Sequence, residues 1–468
     1  MSTHEYDAVV IGAGPGGYPC AIRLAQLGKK TLCIEAHKIG GICLNYGCIP
    51  SKAMISAADF YHRVDGGKSM GVMIEGKSLD FGATQKFRAK VVKKLVMGVS
   101  ALFRENGVDV MMGSASFADA GTMKVDTEDG EQVVRYTDAV VATGSVPFFL
   151  KGFEPDGEWV VGSRHALEFE DVPDSLLVIG GGYIGLELGI AYRKFGTEVK
   201  VVEMMDSLLP LSPKNLSAVV EKKCRRLGIE LHLNTAAKAL ERASDMVTLV
   251  ATGPDGEEIR FDAGRILVTI GRKPYTESLR LENAGLQTDE RGFLEVDAQR
   301  RTAVPNIYAV GDVAGEPMLA HKATREGIVA AEVIAGEVVE YDPRAIPAVI
   351  FTDPEIAYVG LSEEEAIDEG YEVVTGEFPF IASGRAAAIN HTEGFVKVIG
   401  DKSTGLLLGI QIVGPEASNL ISEACLALEK GTTLEEIGST IHPHPTLGEV
   451  VMEASEAALG KAIHLPNK

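Results

Sequence analysis

The chain has 468 residues, enough for about three domains of ordinary size. Its 45 basic and 66 acidic residues give a net charge of −21, which argues against a nucleic-acid partner because such a partner requires clustered positive charge. A hydrophobic share of 46% excludes a disordered chain, and no apolar run approaches the ~20 residues of a membrane helix. The lack of such a run also predicts no membrane partner. Six cysteines are too few for a disulfide scaffold and fit a reducing compartment, so we expect a cytoplasmic protein.

The N-terminal region has the pattern of a strand, a glycine-rich turn and a helix. An apolar run enters the turn G-x-G-x-x-G at Gly12, Gly14 and Gly17, and a helical stretch at Tyr18–Gly28 follows. A second strand ends at Glu35. In such a unit the glycines let a pyrophosphate approach the backbone at the helix N-terminus, and the acidic residue binds a ribose.

The same pattern recurs in the middle of the chain. A strand is predicted at Ser175–Ile179, and the turn after it contains Gly180, Gly182 and Gly185. A helix is predicted at Leu186–Phe195, and the next strand, Glu198–Val202, leads directly to Glu203. The acidic residue follows the first glycine at the same distance in both copies. Two such units, each between a strand and a helix, predict two bound dinucleotides.

Further landmarks suggest how the chain is divided. Strands end at Ala142–Ser145 and at Thr269–Arg272, and these look like the same element in the two copies. From about Pro347 the pattern changes to alternating strands, followed by helical patterns at Ser418–Lys430 and Thr446–Leu459. This pattern predicts a separate α+β domain.

Cys43 and Cys48 are separated by four residues in the segment Gly41–Lys52. Zinc would need further ligands at short spacing, and the sequence has no second cysteine pair. A redox dithiol is therefore favoured over a pair of buried thiols. The remaining cysteines are isolated among apolar residues and are expected to be packing residues: Cys20, Cys33, Cys224 and Cys425.

The cysteine segment resembles the redox-active motif of the flavoprotein disulfide reductases, G-G-x-C-x-N-x-G-C-x-P-S-K. Both glycine-rich units, Thr143-Gly144, Gly311-Asp312 and a C-terminal His-Pro-Thr segment occur in family order. Within the family, the segments 351–355, 384–386 and 442–447 are most similar to the dihydrolipoyl dehydrogenases.

The resemblance implies an α/β fold with two Rossmann-like FAD/NAD(P)-binding domains and a C-terminal α+β dimerisation domain. The expected limits are 1–146 with 275–345 for the FAD-binding domain, 147–274 for the NAD-binding domain and 346–468 for the interface domain. It also implies a homodimer and a lipoyl-bearing carrier protein or acyltransferase as partner.

The resemblance implies FAD and NAD as cofactors and no metal. The residues expected at FAD are Gly12, Gly14, Gly17, Glu35, Lys52, Ala115, Thr143, Gly144, Ser145, Asp312 and Ala320. Those expected at NAD are Gly180, Gly182, Tyr183, Ile184, Gly185, Glu203, Ala237 and Gly271. The stretch Glu203–Asp206 offers carboxylates and no cation for a 2′-phosphate, which favours NAD over NADP.

In the implied chemistry, Cys43 exchanges with substrate, Cys48 lies against the flavin, and Lys52 pairs with Glu187. The alternatives are a solvated amine for Lys52 and an exposed helix position for Glu187. Tyr183 either covers the flavin or is a packed core tyrosine.

The family assigns His444 as the acid–base and Glu449 as the carboxylate that orients it, acting on the disulfide of the partner subunit. The alternative for Glu449 is a helix-capping box with Thr446. His442 is expected to be structural. Gly448 and Tyr46 depart from the residues common in the family.

The expected activity is therefore that of an NAD-dependent dihydrolipoyl dehydrogenase of the 2-oxoacid dehydrogenase or glycine cleavage systems. Two alternatives stay open: an NADPH-dependent disulfide reductase similar to glutathione or mercuric reductase, and a non-catalytic flavoprotein subunit. Glu203 argues against the first, as does a C-terminus without a cysteine pair, and retention of the cysteines with His444 argues against the second.

Overall fold

The computed structural model describes residues 3–242 and 246–466, and within these ranges the chain forms 13 α-helices and 22 β-strands. The helices are α1 (Gly17–Gln26), α2 (Gly41–Tyr46), α3 (Cys48–Gly66), α4 (Phe81–Glu105), α5 (Ser163–Leu167), α6 (Tyr183–Phe195), α7 (Lys214–Arg226), α8 (Ala320–Ile334), α9 (Glu363–Asp368), α10 (Gly384–Ala388), α11 (Ala417–Lys430), α12 (Leu434–Ser439) and α13 (Glu449–Ala458). The first strands are β1 (Thr3–Ile11), β2 (Thr31–Glu35), β3 (Asp109–Met112), β4 (Ser114–Asp119), β5 (Thr122–Thr127), β6 (Gly130–Val141), β7 (Ser145–Pro147), β8 (Val160–Val161), β9 (Ser175–Ile179), β10 (Glu198–Val202) and β11 (Glu230–His232). The others are β12 (Ala236–Arg242), β13 (Val247–Thr252), β14 (Glu258–Ala263), β15 (Arg265–Val268), β16 (Arg272–Pro274), β17 (Ile307–Ala309), β18 (Ala348–Ile350), β19 (Glu355–Gly360), β20 (Val373–Pro379), β21 (Phe395–Asp401) and β22 (Leu407–Gly414).

The first glycine-rich unit lies in a sheet of order β3-β2-β1-β6-β5-β4, with β17 pairing to β6. The turn after β1 requires glycine, because Gly12 has a φ of +103° and a Cβ on Gly17 would lie 1.8 Å from the Gly12 carbonyl oxygen. Helix α1 therefore packs directly on the strand. It ends at Gln26, short of the predicted Gly28, whose φ of +82° lies in the left-handed region.

The second unit lies in a parallel sheet of order β11-β10-β9-β15-β8. Its turn repeats the first, since Gly180 has a φ of +101° and a Cβ on Gly185 would lie 2.6 Å from the Gly180 carbonyl oxygen. Helix α6 begins at Tyr183, three residues earlier than predicted, because extended Gly182 already forms the cap. A short ribbon of β7 and β16 follows the corresponding strands of the two units.

The C-terminal part forms an antiparallel sheet of order β18-β19-β22-β21-β20 with its own buried core. Helix α13 packs closely on β20 because residue 376 is a glycine and has no side chain. A Cβ added at Gly376 would lie 2.1 Å from the Ala454 carbonyl oxygen. The predicted helix at Thr446 begins instead at Glu449.

A buried lysine joins three parts of the chain. Lys194 on α6 is 3% exposed, and its Nζ lies 2.5 Å from Asp59 Oδ1 on α3 and 2.6 Å from Asp353 Oδ2, just before β19. Because a buried ammonium is costly without partners, this contact fixes how the two glycine-rich units and the C-terminal sheet meet.

Candidate active site

A cavity of about 470 Å³ opens where the first glycine turn, the cysteine segment and the N-terminus of α8 meet. Helix α1 begins beside it, so the positive end of the helix dipole faces the cavity. The residues predicted at FAD that line it are Gly12, Gly14, Glu35, Lys52, Ala115, Thr143, Gly144, Ser145, Asp312 and Ala320. Gly17 lies beneath the turn instead, where it permits the close helix packing. The glycine turn, the helix N-terminus and the carboxylate of Glu35 at this cavity suit a dinucleotide.

The carboxylate of Glu35 has a structural function in addition to facing the cavity. Its Oε2 accepts a 2.8 Å hydrogen bond from the Ala13 amide, and Oε1 accepts from the amides of His37 at 2.8 Å and Lys38 at 3.2 Å. A carboxylate has about four acceptor sites, so one remains for a ribose hydroxyl.

Cys43 in α2 and Cys48 at the start of α3 are free thiols that line the same cavity. The hydrogen bond from Cys43 lowers the pKa of Cys48 to about 7, helped by the charge of Lys52 and opposed by burial. The same hydrogen bond and burial raise the pKa of Cys43. Of the two, Cys48 is therefore the one that becomes the thiolate.

Lys52 and Glu187 form an ion pair between helices α3 and α6. Lys52 Nζ lies 2.7 Å from Glu187 Oε2, and the Phe351 amide donates to Glu187 Oε1 at 2.9 Å. The side chain of Glu187 is only 5% exposed, so it is not an exposed helix position. The Lys52 Nζ also lies 4.5 Å from the centroid of the Phe351 ring. The amine is thus fixed beside the cysteines.

The residues predicted at NAD divide into two groups. Tyr183 and Ile184 line the cavity, and Tyr183 is 43% exposed, so it is not a packed core tyrosine. Among the described residues, the others lie away from this cavity, around the second turn and the neighbouring strands: Gly180, Gly182, Gly185, Glu203, Ala237 and Gly271. Glu203 is buried and accepts from the amides of Gly181 at 2.6 Å and Met205 at 2.8 Å.

His444 and Glu449 form a hydrogen-bonded pair, with Nδ1 of His444 2.8 Å from Glu449 Oε1. Glu449 Oε2 accepts from the Thr446 amide at 2.8 Å, whereas the Thr446 hydroxyl donates to the Pro443 carbonyl. Only one half of the predicted capping box is therefore present. Partial burial works against the charge of Glu449, but the hydrogen bonds from Thr446 and His444 lower its pKa.

The His444 side chain is 80% exposed. In the part of the chain that the structure describes, neither His444 nor Glu449 lines the cavity that holds Cys43 and Cys48. The imidazole thus lies outside the cavity that the thiols of its own chain line.

Both ring nitrogens of His442 have hydrogen-bond partners within the C-terminal part of the chain. Its Nε2 lies 2.9 Å from Glu423 Oε1 and its Nδ1 lies 2.8 Å from the Thr440 carbonyl oxygen.

Within residues 3–242 and 246–466, no group of three or more His, Cys, Asp or Glu side chains is placed to hold a metal ion. Burial raises the pKa of the four remaining thiols, those of Cys20, Cys33, Cys224 and Cys425.

Two features of the cavity were not predicted. Arg272 donates to the Ser145 hydroxyl at 2.8 Å and to its carbonyl at 2.7 Å, and that hydroxyl donates to Asp312. The sequence of the segment Thr269–Arg272 predicts a role for Gly271 and none for Arg272.

The second feature is the environment of Tyr46. Lys38 Nζ lies 5.0 Å and the Arg164 guanidinium carbon 4.0 Å from the centroid of its ring. Tyr46 therefore connects the loop after β2 with helix α5.

Comparisons with known proteins agree with this geometry. Residues 6–327 match the family model of pyridine nucleotide-disulphide oxidoreductases, and residues 346–455 match that family's dimerisation domain. Dihydrolipoyl dehydrogenase of Geobacillus stearothermophilus is 48% identical over 464 residues, covering 99% of this chain and 98% of the relative. The enzyme of the same name from Haloferax volcanii is 47% identical over 466 residues, with 99% and 98% covered.

Solved structures give the same result. LpdA from Mycobacterium tuberculosis superposes with a TM-score of 0.89 at 29% identity, covering 96% of this chain and 99% of that chain. The HOCl-induced flavoprotein disulfide reductase RclA from Escherichia coli superposes with a TM-score of 0.86 at 25% identity, with 96% and 99% covered. No helix among the described residues is long and apolar enough to cross a membrane. The chain belongs to the pyridine nucleotide-disulphide oxidoreductase family, in its dihydrolipoyl dehydrogenase branch.

Proposed function

We propose that this chain oxidises protein-bound dihydrolipoyl groups to lipoyl groups with NAD⁺ as acceptor. The observation that carries the proposal is the position of Cys43 and Cys48 in the wall of the cavity at the first glycine turn, with Lys52 fixed beside them. The full-length similarity to dihydrolipoyl dehydrogenases supports the substrate.

The cavity fits FAD, because it combines a glycine turn at a helix N-terminus with a carboxylate that retains one acceptor site. When bound there, FAD would take two electrons from the dithiol, and NAD⁺ would take the hydride. We propose that the FAD-site residues named above hold FAD, and that the second turn and Glu203 hold NAD.

In the proposed reaction, His444 removes a proton from one thiol of the dihydrolipoyl group, because the thiolate is the nucleophile. The thiolate attacks Cys43 Sγ of the oxidised pair, the Cys43–Cys48 bond breaks, and Cys48 leaves as a thiolate. The second substrate thiol gives up its proton, which the Cys48 thiolate takes up, and its sulfur attacks the substrate sulfur bound to Cys43. This step closes the lipoyl disulfide and returns Cys43 as a thiol with the proton that His444 had taken.

At the end of the reaction with substrate, Cys43 and Cys48 are both reduced. In the step in which Cys48 leaves, Cys43 has no S–H to donate, so it is the positive charge of Lys52 that lowers the pKa of Cys48 and favours its departure, since a thiol of lower pKa leaves faster. Glu449 holds Nδ1 of His444 and so leaves Nε2 as the nitrogen that takes the proton.

The separation of His444 from the cavity favours a homodimer in which each His444 serves the cysteine pair of the second copy. The match of residues 346–455 to a dimerisation domain supports this arrangement.

We propose a lipoyl-bearing carrier or acyltransferase as partner. We also propose the cytoplasm as location, which the low cysteine content favours. The proposed domain limits are 1–146 with 275–345, 147–274 and 346–468.

The test is an anaerobic assay of the flavin-loaded protein with dihydrolipoamide and either NAD⁺ or NADP⁺. We expect rapid formation of NADH, little NADPH, and loss of both in Cys43→Ser. If the protein instead oxidises NADPH with another disulfide substrate, the proposed substrate and the cofactor argument from Glu203 are both wrong.

A further inference from the structure

Glu326 on α8 is the most completely buried carboxylate near the cavity, with 0% of its side chain exposed. Its Oε1 lies 2.6 Å from Arg300 Nη1 and 3.0 Å from Lys322 Nζ. Its Oε2 accepts a 2.7 Å hydrogen bond from the amide of Gly311. Every partner is therefore a donor, and two of them carry positive charge.

These contacts connect the two elements that carry cavity residues. Gly311 begins the turn that holds Asp312, and α8 begins at Ala320; Asp312 and Ala320 both line the cavity. Lys322 also donates to the Gly315 carbonyl at 3.1 Å. Through its bond to Gly311, Glu326 sets the position of Asp312 relative to the N-terminus of α8.

The cluster of Glu326, Arg300 and Lys322 is costly to bury, so a contribution to fold stability does not by itself explain why these charges are present. Apolar side chains of similar volume often replace a buried ion group without loss of stability. Here the carboxylate also binds a backbone amide, and glycine is required at that position because Gly311 has a φ of +77°. An apolar side chain could not hold this amide.

We propose that Glu326 is a positioning residue for the flavin: it fixes the Gly311–Asp312 turn, so that the Asp312 carboxylate faces the cavity that would hold FAD, while α8 directs its N-terminus at the same cavity. The inference rests on the proposed FAD site. Glu326 lies outside the cavity lining, so its effect on FAD acts through Gly311 and Asp312.

The test compares Glu326→Gln with Glu332→Gln, a matched change on the same helix. Glu332 is also buried and paired, but its carboxylate binds Arg23 on α1, with Oε1 2.9 Å from Arg23 Nη2, rather than the Gly311 turn. FAD is added to each deflavinated full-length protein, and its Kd and the visible spectrum of bound flavin are measured, together with the unfolding midpoint.

We expect Glu326→Gln to raise the Kd for FAD at least about tenfold, as expected for a lost charged hydrogen bond, and to change the flavin spectrum. Glu332→Gln should keep the Kd within about twofold, the scatter expected where no FAD contact changes, even if it lowers the unfolding midpoint equally. Equal Kd values for the two variants would overturn the proposal.

If Glu326→Gln does not fold, Glu326→Asp provides the same test. Aspartate keeps the charge between the two cations but is one methylene too short to reach the Gly311 amide. A wild-type Kd in Glu326→Asp would contradict the proposal. Failure of the proposed activity is distinguishable, because wild-type protein that binds FAD but makes no NADH from dihydrolipoamide refutes the activity and leaves the FAD comparison valid.

Discussion

Glu35 and Glu203 have equivalent positions in the two glycine-rich units and make equivalent contacts. Each carboxylate accepts from the amide after the first glycine of its turn, that of Ala13 or Gly181, and from the amide two residues after itself. The acidic residue of this motif therefore closes the turn as well as being available to a ribose. A substitution here affects both functions.

Glu203→Gln should weaken the use of NAD⁺. The amide side chain loses the charge that binds two backbone N–H groups, and a hydrogen bond to a charged group contributes about 1.5–3 kcal/mol. We expect kcat/KM for NAD⁺ to fall roughly 10- to 150-fold, measured by steady-state kinetics.

Glu198→Gln is the control, because Glu198 lies exposed at the other end of β10. It should leave kcat/KM for NAD⁺ unchanged. Equal values for Glu203→Gln and wild type would show that Glu203 has no function at the nucleotide.

Lys52→Met should raise the pKa of Cys48. The substitution removes a nearby positive charge and leaves Glu187 buried without its cation, and both changes disfavour the thiolate. In the dithiol form of wild type, alkylation by iodoacetamide should increase through about pH 7 and level off above it. In the variant the midpoint should move to higher pH, and the rate at pH 7 should fall about fivefold for a rise of one pKa unit.

Lys77→Met is a matched control. Lys77 also pairs with a carboxylate, 2.5 Å from Asp65 Oδ2, and lies over an aromatic ring, 4.2 Å from the centroid of Tyr61. Its removal should not move the alkylation midpoint. If both variants shift that midpoint equally, Lys52 has no specific effect on Cys48.

Tyr46 should couple energetically to Arg164. A cation–π contact of partly exposed groups contributes about 0.5–1 kcal/mol. A double-mutant cycle of Tyr46→Val and Arg164→Met, followed by denaturant unfolding, should give a coupling free energy of about that size. Tyr46→Phe keeps the ring and should retain the coupling; loss of coupling in Tyr46→Phe would assign it to the hydroxyl.

Gly376→Ala should disturb the C-terminal sheet. The added Cβ would lie 2.1 Å from the Ala454 carbonyl oxygen, so α13 must move away from β20. We expect a loss of about 1–3 kcal/mol in unfolding free energy and a fall in dihydrolipoamide oxidation, because Glu449 begins the displaced helix. Gly384→Ala, whose Cβ meets nothing within 4 Å, should change neither measurement.

Local patterns were sufficient for the parts of the fold that depend on neighbouring residues. Strands β9 and β10 were predicted with their observed ends, because an apolar run bounded by glycine or charge specifies a buried parallel strand. The predicted starts of α6 and α13 were each wrong by three residues, because the position of a helix cap depends on backbone geometry that the amino-acid sequence alone does not give.

Contacts between distant segments could not be predicted. Arg272 contacts Ser145, and Glu326 contacts Gly311 and Arg300, only because the fold brings these separate segments together. A glutamate in the middle of a helix has the appearance of a surface residue in sequence, and only its burial shows that it needs partners. The pairing of Lys52 with Glu187 was expected from the resemblance and not from any local pattern.

The exposure of His444 has a genetic consequence. If each chain supplies the cysteines of one site and the imidazole of the other, two inactive proteins can restore each other. A heterodimer of Cys43→Ser and His444→Gln chains combines both lesions in one site and leaves the second site with an intact Cys43 and an intact His444. Co-expressed, the two defective alleles would complement, whereas either allele alone would be null.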